Sequence, residues 1–463
     1  MASTKQRGRG RPSISAPMAL LLAFIACLAI AGGASRSDVL GQAIVRLAAA
    51  IAIAGLILVG AKLEVSRWTV LLVAAAAALP FVQLIPLPPS IWSSLPGREV
   101  FLEAATIGGM QQPWRPIALS PDLTANALFS LLVPTAALML TAALDATERA
   151  QIPVMTFALG LASSALAVVQ LSGGNLDNPL INETVGTASG IFANPNHQAL
   201  LLAISILAGA CWAVGHRSTV SWRLPVAAGA AIWFLLMIMA SGSRTGLVLG
   251  FLALTIATII VRRQLGILMM RLPNRARLPI IAIGVASILS LAVVSFTAGR
   301  AVSLNRLLVL STGEDMRSRA LPTILEMIAT YMPVGAGFGT FDPLFRLNEP
   351  DSLLKLTYFN HAHNDYLEVA LEGGVFGVAL IIAAIGWALR SGTAIWKIDL
   401  AVNTAPAGRF GAVVLLLVGL ASVVDYPART PTIMALLAIA AVLVGAADRG
   451  SRQGTLRSGT DRV

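Results

Sequence analysis

The sequence predicts an all-α polytopic integral membrane protein with about twelve transmembrane helices and one long, partly helical periplasmic loop. Hydrophobic residues make up 56% of the 463 residues and the mean hydropathy is +0.79, whereas charged residues make up only 12%. A soluble domain carries roughly twice that charged fraction. The composition therefore leaves no room for a large separate soluble domain. The two cysteines, Cys27 and Cys211, lie in apolar runs and predict neither a disulfide framework nor a zinc site.

Twelve apolar runs approach the roughly 20 residues that a membrane-spanning helix needs. They are 17–34, 43–61, 68–86, 124–144, 152–171, 198–214, 223–240, 243–261, 278–298, 366–389, 410–424 and 431–447. The first run follows basic residues and ends in "AGGAS", so a cleaved signal peptide is the alternative to a retained anchor. The polytopic context favours the anchor.

The distribution of Lys and Arg orients these runs. The tail 1–16 is basic, and basic segments beside a span stay in the cytoplasm. Alternation then places 21 of the 33 Lys and Arg residues inside and 11 outside, with Arg46 within a span. This asymmetry predicts cytoplasmic termini, a transmembrane domain at 17–447 and a second basic tail at 448–463. It also assigns the net charge of +11 to cytoplasmic loops rather than to nucleic-acid binding.

The long outer stretch at 299–365 is the only loop that we predict to form a small cap. Within it, "RSRALPTILEMIATYM" has apolar residues at helical spacing, and the following "PVGAGFGTF" ends that helix. Five polar clusters fall on the predicted outer side, at 192–197, 241–244, 313–319, 361–365 and 425–429. Their common side predicts one pocket that faces the periplasm, although polar residues also gather at helix ends where there is no site.

His363 is the strongest candidate for chemistry. Asp365 can cap the helix that follows, with Glu368 three residues on as in a capping box. The positive end of that helix disfavours imidazolium, so we expect His363 to be neutral and able to accept a proton. The same exposed amides can hold an anion. The alternative is an interfacial histidine that only caps or hydrogen-bonds a loop.

Arginines at the same predicted side are candidates for binding phosphate. Arg244 opens an apolar span, and the guanidinium fork suits a pair of phosphate oxygens. The alternative for Arg244 is a side chain that snorkels to the interface. Arg317 or Arg319 can hold a second phosphate or remain a solvated charge. Arg429 is a further candidate, for which a salt bridge with Asp425 is the simpler expectation.

The sequence predicts neither a metal nor a cofactor. His361 and His363 are two residues apart with no evident carboxylate partner, which disfavours a metal site. No acidic pair of the kind that binds a metal–nucleotide complex is evident. That argues against a nucleotide-sugar donor and favours a donor that is already linked to a lipid.

The stretch "HNDYLEVALEGGVFG" fits a pattern of His-Asn, nine residues and Gly-x-x-Gly, at His363, Asn364, Gly374 and Gly377. With "SGSRTG" before the long loop and "PVGAGFGTF" inside it, the chain resembles the O-antigen ligase and polymerase superfamily, the WaaL-like and Wzy-like membrane proteins. The resemblance covers mainly 190–430. The amino-terminal third is similar only in being a series of spans.

The resemblance implies a metal-independent glycosyltransferase of the GT-C type. Such proteins pass a saccharide from undecaprenyl pyrophosphate to an acceptor hydroxyl at the periplasmic face. By the motif, His363 is the base and Asn364 its companion. Arg244 is similar to the family's membrane-face arginine, and Arg317 or Arg319 to the arginine at the head of the loop. His361 is the neighbouring histidine that can orient or replace His363.

Several functions remain open within and outside this superfamily. A ligase transfers to a lipid A core sugar, whereas a polymerase extends repeat units of O-antigen, capsule or exopolysaccharide. A transporter and an inactive scaffold of a glycan-assembly complex are alternative hypotheses from other functional classes. The implied partners are the lipid-linked donor, the glycan or lipid A core acceptor, the bilayer and other polysaccharide-assembly proteins. The implied location is the bacterial inner membrane, with the active site facing the periplasm.

Overall fold

A computed structural model of the protein describes residues 14–173, 178–181, 187–214, 222–271, 273–275, 279, 282, 312–354, 359–397 and 405–460. The helices are α1 (Ala16–Ala31), α2 (Leu40–Val59), α3 (Arg67–Gln83), α4 (Pro89–Trp92), α5 (Glu99–Ile107), α6 (Pro121–Ser130), α7 (Leu132–Ala143), α8 (Ala146–Arg149), α9 (Ile152–Leu171), α10 (Pro195–Val214), α11 (Arg223–Ala240), α12 (Arg244–Arg271), α13 (Thr312–Tyr331), α14 (Phe341–Asn348), α15 (Asp365–Trp396), α16 (Ala405–Ala421) and α17 (Pro431–Thr460). Two short 3₁₀ turns are Asp351–Leu353 and Pro427–Arg429. The strands β1 (Pro86–Leu87) and β2 (Arg115–Pro116) pair antiparallel.

Eight helical stretches in the described part of the chain are long and apolar enough to cross a membrane. They are Leu40–Val59, Pro121–Ala143, Ala146–Leu171, Pro195–Val214, Arg223–Ala240, Arg244–Arg271, Asp365–Trp396 and Pro431–Arg449. The apolar helices α1, α3 and α16 are shorter. Eleven of the predicted runs lie mainly in these helices, so the all-α polytopic class is confirmed. The run 278–298 falls almost entirely outside the described residues, so the count of twelve stays a prediction.

The helix α10 lies at the centre of the bundle and is buried along nearly its whole length. Small residues let its neighbours approach closely. A Cβ added at Gly160 of α9 would lie 2.1 Å from the Ser205 hydroxyl oxygen, and one at Gly246 of α12 would lie 2.3 Å from the Ala199 Cβ. Close contacts through small residues are typical of helices packed within a bilayer. This packing fixes the position of the α10 amino terminus.

A second hydrophobic cluster lies apart from the main core of the bundle and forms a small cap. The helices α13 and α14 supply most of it, and Phe101 of α5 packs against it. Arg98, which is fully buried just before α5, links the α5 segment to the end of α13. Its guanidinium donates to the Gly335 carbonyl at 3.4 Å and lies over the Tyr331 ring. The prediction that 299–365 alone forms the cap is therefore wrong. The segment between α3 and α6 has no long periodic pattern, so the sequence did not predict that it contributes to the cap.

The helix α15 is broken at Gly374, where φ is 57° and ψ is −147°. The glycine-rich loop at 333–339 fills the break. One of its amides donates to the Leu371 carbonyl at 3.0 Å, and the Val375 amide donates to the Pro333 carbonyl at 2.9 Å. The break therefore leaves these backbone groups paired, as a low-dielectric environment demands. It separates a short polar helical segment from the long apolar one.

A side chain at Gly374 is expected to disrupt this junction. A Cβ there would lie 2.1 Å from the Pro333 carbonyl oxygen, and the backbone conformation is one that only glycine adopts readily. We expect Gly374→Ala to destabilise the protein by about 1–3 kcal/mol. Thermal unfolding in detergent measures the effect. Gly386→Ala is the matched control in the same helix, because a Cβ at Gly386 meets nothing within 4 Å; equal stability of the two variants would contradict this account.

Candidate functional site

Polar segments that are far apart in the sequence meet at one end of the bundle, which we call the polar end. Asp425, between α16 and α17, contacts His363 before α15 and Asn196 at the start of α10. Arg317 of α13 donates to the Val424 carbonyl at 3.0 Å. Asp425 thus joins three of the five polar clusters directly, and Arg317 of a fourth cluster bonds to the residue just before Asp425. The side chains that can do chemistry therefore lie together at this end of the bundle, outside the apolar interiors of the spans.

His363 occupies a left-handed backbone conformation with φ of 50°, which is uncommon for any residue except glycine. The next residue, Asn364, is the N-cap of α15. Its side-chain oxygen accepts from the amides of Tyr366 and Leu367, each at 3.0 Å. Because these helix-start amides already have a partner, the expectation that they hold an anion is wrong for these two. The Asn364 cap fixes the backbone immediately after His363.

The expected capping box of Asp365 and Glu368 is also wrong. Asp365 accepts hydrogen bonds from the Ser422 hydroxyl at 2.7 Å and the Ala428 amide at 3.2 Å. Glu368 accepts from the Ala362 amide at 2.9 Å. Both carboxylates are buried, and buried carboxylates turn toward donors that neighbouring segments supply. The Asp365 donors are distant in the sequence and the Glu368 donor lies just before the helix, so the capping-box spacing pointed to the wrong partners.

The pair of His363 and Asp425 has the geometry of a base held by a carboxylate, with Nδ1 3.2 Å from Oδ1. Burial lowers the pKa of His363 below its ordinary value, although the hydrogen bond with Asp425 and its charge oppose the shift. Burial would raise the pKa of Asp425, but the hydrogen bond with His363 and nearby positive groups hold it well below its usual range. At neutral pH the ring is neutral and the carboxylate charged. With Nδ1–H donated to Asp425, the Nε2 lone pair is available to accept a proton.

A second histidine–carboxylate pair lies beside the first. The His361 Nδ1 is 2.9 Å from the Glu368 Oε1. The Tyr426 ring separates the two histidines, with its centroid 4.3 Å from the His361 ring and 4.9 Å from the His363 ring. The expectation that neither histidine has a carboxylate partner is therefore wrong. Asp425 lies on a segment that only the tertiary fold brings near, whereas Glu368 follows His361 by seven residues.

Arg429 is enclosed by three carboxylates of α15. Its guanidinium nitrogens lie 2.9 Å from Glu372, 3.2 Å from Glu368 and 3.7 Å from Asp365. Burial would lower the pKa of Arg429, but the charges of Glu368, Glu372 and Asp365 raise it above its ordinary value. The expected salt bridge with Asp425 is wrong, since Asp425 pairs with a histidine instead. Binding of a phosphate by Arg429 stays a prediction, which its existing partners disfavour.

The other predicted arginines lie at different parts of this region. Arg319 donates to the Ser352 carbonyl at 2.8 Å, which directs it toward the cap. Arg244 is exposed at the start of α12. Two residues further on, Gly246 packs against Ala199 in the first turns of α10. Arg244 therefore begins its helix at the polar end.

Sequence reasoning missed the role of Asp425 beside a histidine, and it did not single out His197 or Tyr426. The polar cluster at 425–429 contained the signal, because a charged residue directly after an apolar span is costly unless it has partners. The sequence did not identify those partners. His197 lies at the start of an apolar helix, where a lone histidine resembles an ordinary interfacial residue.

The long apolar helices define a multi-pass membrane protein, and paired histidines and carboxylates form a polar site at one end of its bundle. Residues 229–382 match the family model described as O-antigen ligase. The match confirms the resemblance to the O-antigen ligase and polymerase superfamily and supports a role in O-antigen or polysaccharide assembly. The matched region contains His361 and His363, whereas Asp425 follows it. No curated protein matches the chain.

Proposed function

We propose that the protein transfers a saccharide from undecaprenyl pyrophosphate to an acceptor hydroxyl, as in an O-antigen ligase, with His363 as the base. The observation that carries the proposal is the pair of His363 and Asp425 at the polar end. A neutral imidazole that is oriented by a carboxylate is suited to take a proton from a hydroxyl group. The family match to residues 229–382 supports the choice of glycosyl transfer.

In the proposed reaction, the His363 Nε2 removes the proton of the acceptor hydroxyl. The oxygen attacks the anomeric carbon and forms the new C–O bond. The bond from that carbon to the pyrophosphate oxygen breaks, and undecaprenyl pyrophosphate leaves with the electron pair. The proton on His363 then passes to solvent. Asp425 stabilises the imidazolium while it carries the proton.

The charge of the leaving pyrophosphate needs positive groups. Arg317 is the best-placed residue for this role. It lies at the end of α13 that is nearest to Asp425, and it is only partly buried. Arg244 is the second proposed phosphate ligand, from the start of α12. We place Arg319 further from the reacting atoms, in the cap. Pyrophosphate is a good leaving group, so a base and these cations are sufficient in the proposal without a metal.

An apolar groove between α3 and α15 supports a lipid-linked donor. The groove has a volume of about 810 Å³ and runs from Gly373 at the helix break to Arg390. Residues 375–390 of the helix rise about 22 Å, most of the roughly 30 Å thickness of the hydrocarbon core. An ordinary lipid chain reaches only about half of that thickness. A long polyprenyl chain therefore fits the groove better than the chain of a membrane phospholipid.

A bulky residue in this groove is expected to weaken binding of the donor. Gly386 lines the groove, and a Cβ there meets nothing within 4 Å, so a phenylalanine can enter without a backbone clash. We expect Gly386→Phe to raise the KM for the lipid-linked donor by about tenfold, the effect of losing about 1.4 kcal/mol of apolar contact. Steady-state transfer by purified protein measures the change.

Gly229→Phe is the matched control. Gly229 lies exposed in another span, α11, and a Cβ there also meets nothing within 4 Å. An unchanged KM in Gly386→Phe, or an equal rise in both variants, would exclude the groove as the donor site.

Ligase and polymerase differ in the acceptor, and a deletion strain separates them. After deletion, surface polysaccharide is resolved on a gel and the carrier-lipid fraction is extracted. The ligase proposal predicts that no repeats are attached and that polymer accumulates on the carrier lipid. Single repeats that are still attached, without long chains, would instead indicate a polymerase. Unchanged polysaccharide on the surface and on the carrier lipid would contradict both.

A further inference from the structure

His197 lies beside the proposed dyad but outside the mechanism described so far. It sits in the first turn of α10, and its side chain is only 3% exposed. Its Nδ1 lies 3.0 Å from the Thr430 hydroxyl oxygen, which is also buried. Its Nε2 has no hydrogen-bond partner among the described residues, and it lies 4.0 Å from the Asp425 Oδ2. A buried polar atom left without a partner calls for an explanation.

The two oxygens of Asp425 face different groups. Oδ1 faces the His363 Nδ1 at 3.2 Å, whereas Oδ2 accepts from the Asn196 side-chain Nδ2 at 2.8 Å and lies toward the His197 Nε2. A negative carboxylate favours the tautomer of His197 with its proton on Nε2. In that tautomer the Thr430 hydroxyl donates to Nδ1. Asp425 therefore lies between two imidazole rings, each with an N–H group toward it.

We propose that His197 is a positioning residue that acts through Asp425 to set the orientation and basicity of His363. An N–H group directed at Oδ2 withdraws part of the carboxylate charge from Oδ1. The carboxylate then stabilises the imidazolium form of His363 less than an unopposed carboxylate would. His363 thus stays neutral at lower pH while it is still held in one orientation. The catalytic part of this inference rests on the proposed function; the electrostatic part does not.

The other groups that face the dyad are the same in the variants considered below. Arg317 of α13 approaches Asp425 from the cap, and His361 and Tyr426 approach from the two neighbouring loops. Arg317 and His361 lower the pKa of His363. Their effect on the pKa of His363 is the same in each variant, so a change in that pKa can be assigned to His197.

Two substitutions separate this role from simple core packing. His197→Phe keeps an aromatic ring against Phe192 and Tyr426 but removes both nitrogens. His197→Gln restores an N–H donor on a flexible side chain. The protein has only four histidines, so the imidazole signals of ¹³C-labelled protein in detergent can be assigned by substitution. NMR titration then gives the pKa of His363 without any substrate.

We expect His197→Phe to raise the pKa of His363 by about 0.5 unit, because the N–H dipole that faces the Asp425 Oδ2 is lost. His197→Gln is expected to return most of that shift. The acidic limb of the transfer rate should move to higher pH in His197→Phe by the same amount. A pKa of His363 that is unchanged in folded His197→Phe would overturn the proposal, even if that variant were less stable.

Thr430→Val provides a second test if His197→Phe fails to fold. Valine keeps the shape of threonine and removes the hydroxyl that fixes the His197 tautomer, so the pKa of His363 is expected to rise by a smaller amount. No rise in folded Thr430→Val would count against the proposal. Absence of transfer by the wild-type protein would refute the proposed function alone, because the NMR titration would still decide the electrostatic role of His197.

Discussion

His363→Asn is expected to lower the rate of saccharide transfer by about 10²–10⁴-fold, the usual contribution of a general base. Asparagine tolerates the left-handed backbone that His363 adopts, so this substitution removes the base with little backbone strain. The variant should insert and accumulate like the wild type. The rate is measured with purified protein, and the amount of surface glycan gives the corresponding result in cells.

Asp425→Asn tests the partner of the same dyad. The amide retains the shape of the carboxylate but cannot stabilise an imidazolium, so we expect a loss of about 10²-fold or more. The wild-type rate should fall as pH decreases through the lowered pKa of His363, because only the neutral ring accepts a proton. Wild-type rates in both substituted proteins would remove the dyad from the mechanism.

Arg429→Met is expected to cause the largest loss of stability. It removes the guanidinium that lies among Glu372, Glu368 and Asp365, and it leaves these buried carboxyl groups without that partner. Removal of one member from a buried ion pair typically costs about 3–5 kcal/mol. Thermal unfolding in detergent should show a large fall in the midpoint. The expected defect is therefore in folding rather than specifically in binding the donor.

Arg346→Met is the matched control for this substitution. Arg346 is exposed and pairs with Asp342 of its own helix at 2.8 Å, so its loss should cost less than about 1 kcal/mol. If the Arg429→Met protein had normal stability and a raised KM for the donor, that result would favour Arg429 as a phosphate ligand. Equal stability of the two variants would contradict the account of the carboxylate cluster.

The membrane architecture was predictable from the sequence because an apolar run must be helical in a bilayer to satisfy its backbone. Eleven predicted runs correspond to helices for this reason. The motif from His363 to Gly377 was also informative. It could not reveal the helix break, since the partners of Gly374 lie on the loop at 333–339. A local pattern predicts a glycine-rich helix there and says nothing of the inserted loop.

The electrostatic partners at the polar end were the least predictable part of the site. Asp365 and Glu368 have the spacing of a capping box, yet Asp365 bonds to the distant Ala428 amide, and Glu368 pairs with His361 and the distant Arg429. Asp425 was placed with Arg429 because the two are close in sequence, whereas the fold pairs Asp425 with His363. Burial determines these pairings, because a buried charge is stable only when a partner lies next to it in space. No local sequence rule identifies that donor.

The paired histidines give the polar end two acid–base groups around one tyrosine. His363 is held by Asp425, whose charge Arg317 influences without forming a salt bridge with it among the described residues. The carboxylate of His361 also lies 3.2 Å from Arg429. The charge of Glu368 is therefore shared, and less of it acts on His361. This difference is the physical reason for assigning the base to His363 rather than to His361.

The central claim is that His363, oriented by Asp425, activates the acceptor for transfer from a lipid pyrophosphate. The most direct measurement follows purified protein with an undecaprenyl-pyrophosphate-linked saccharide and a lipid A core acceptor. The account predicts that the wild type forms glycosylated acceptor and free undecaprenyl pyrophosphate in equal amounts, and that His363→Asn forms neither at a comparable rate. Equal amounts of both products from His363→Asn at the wild-type rate would contradict it.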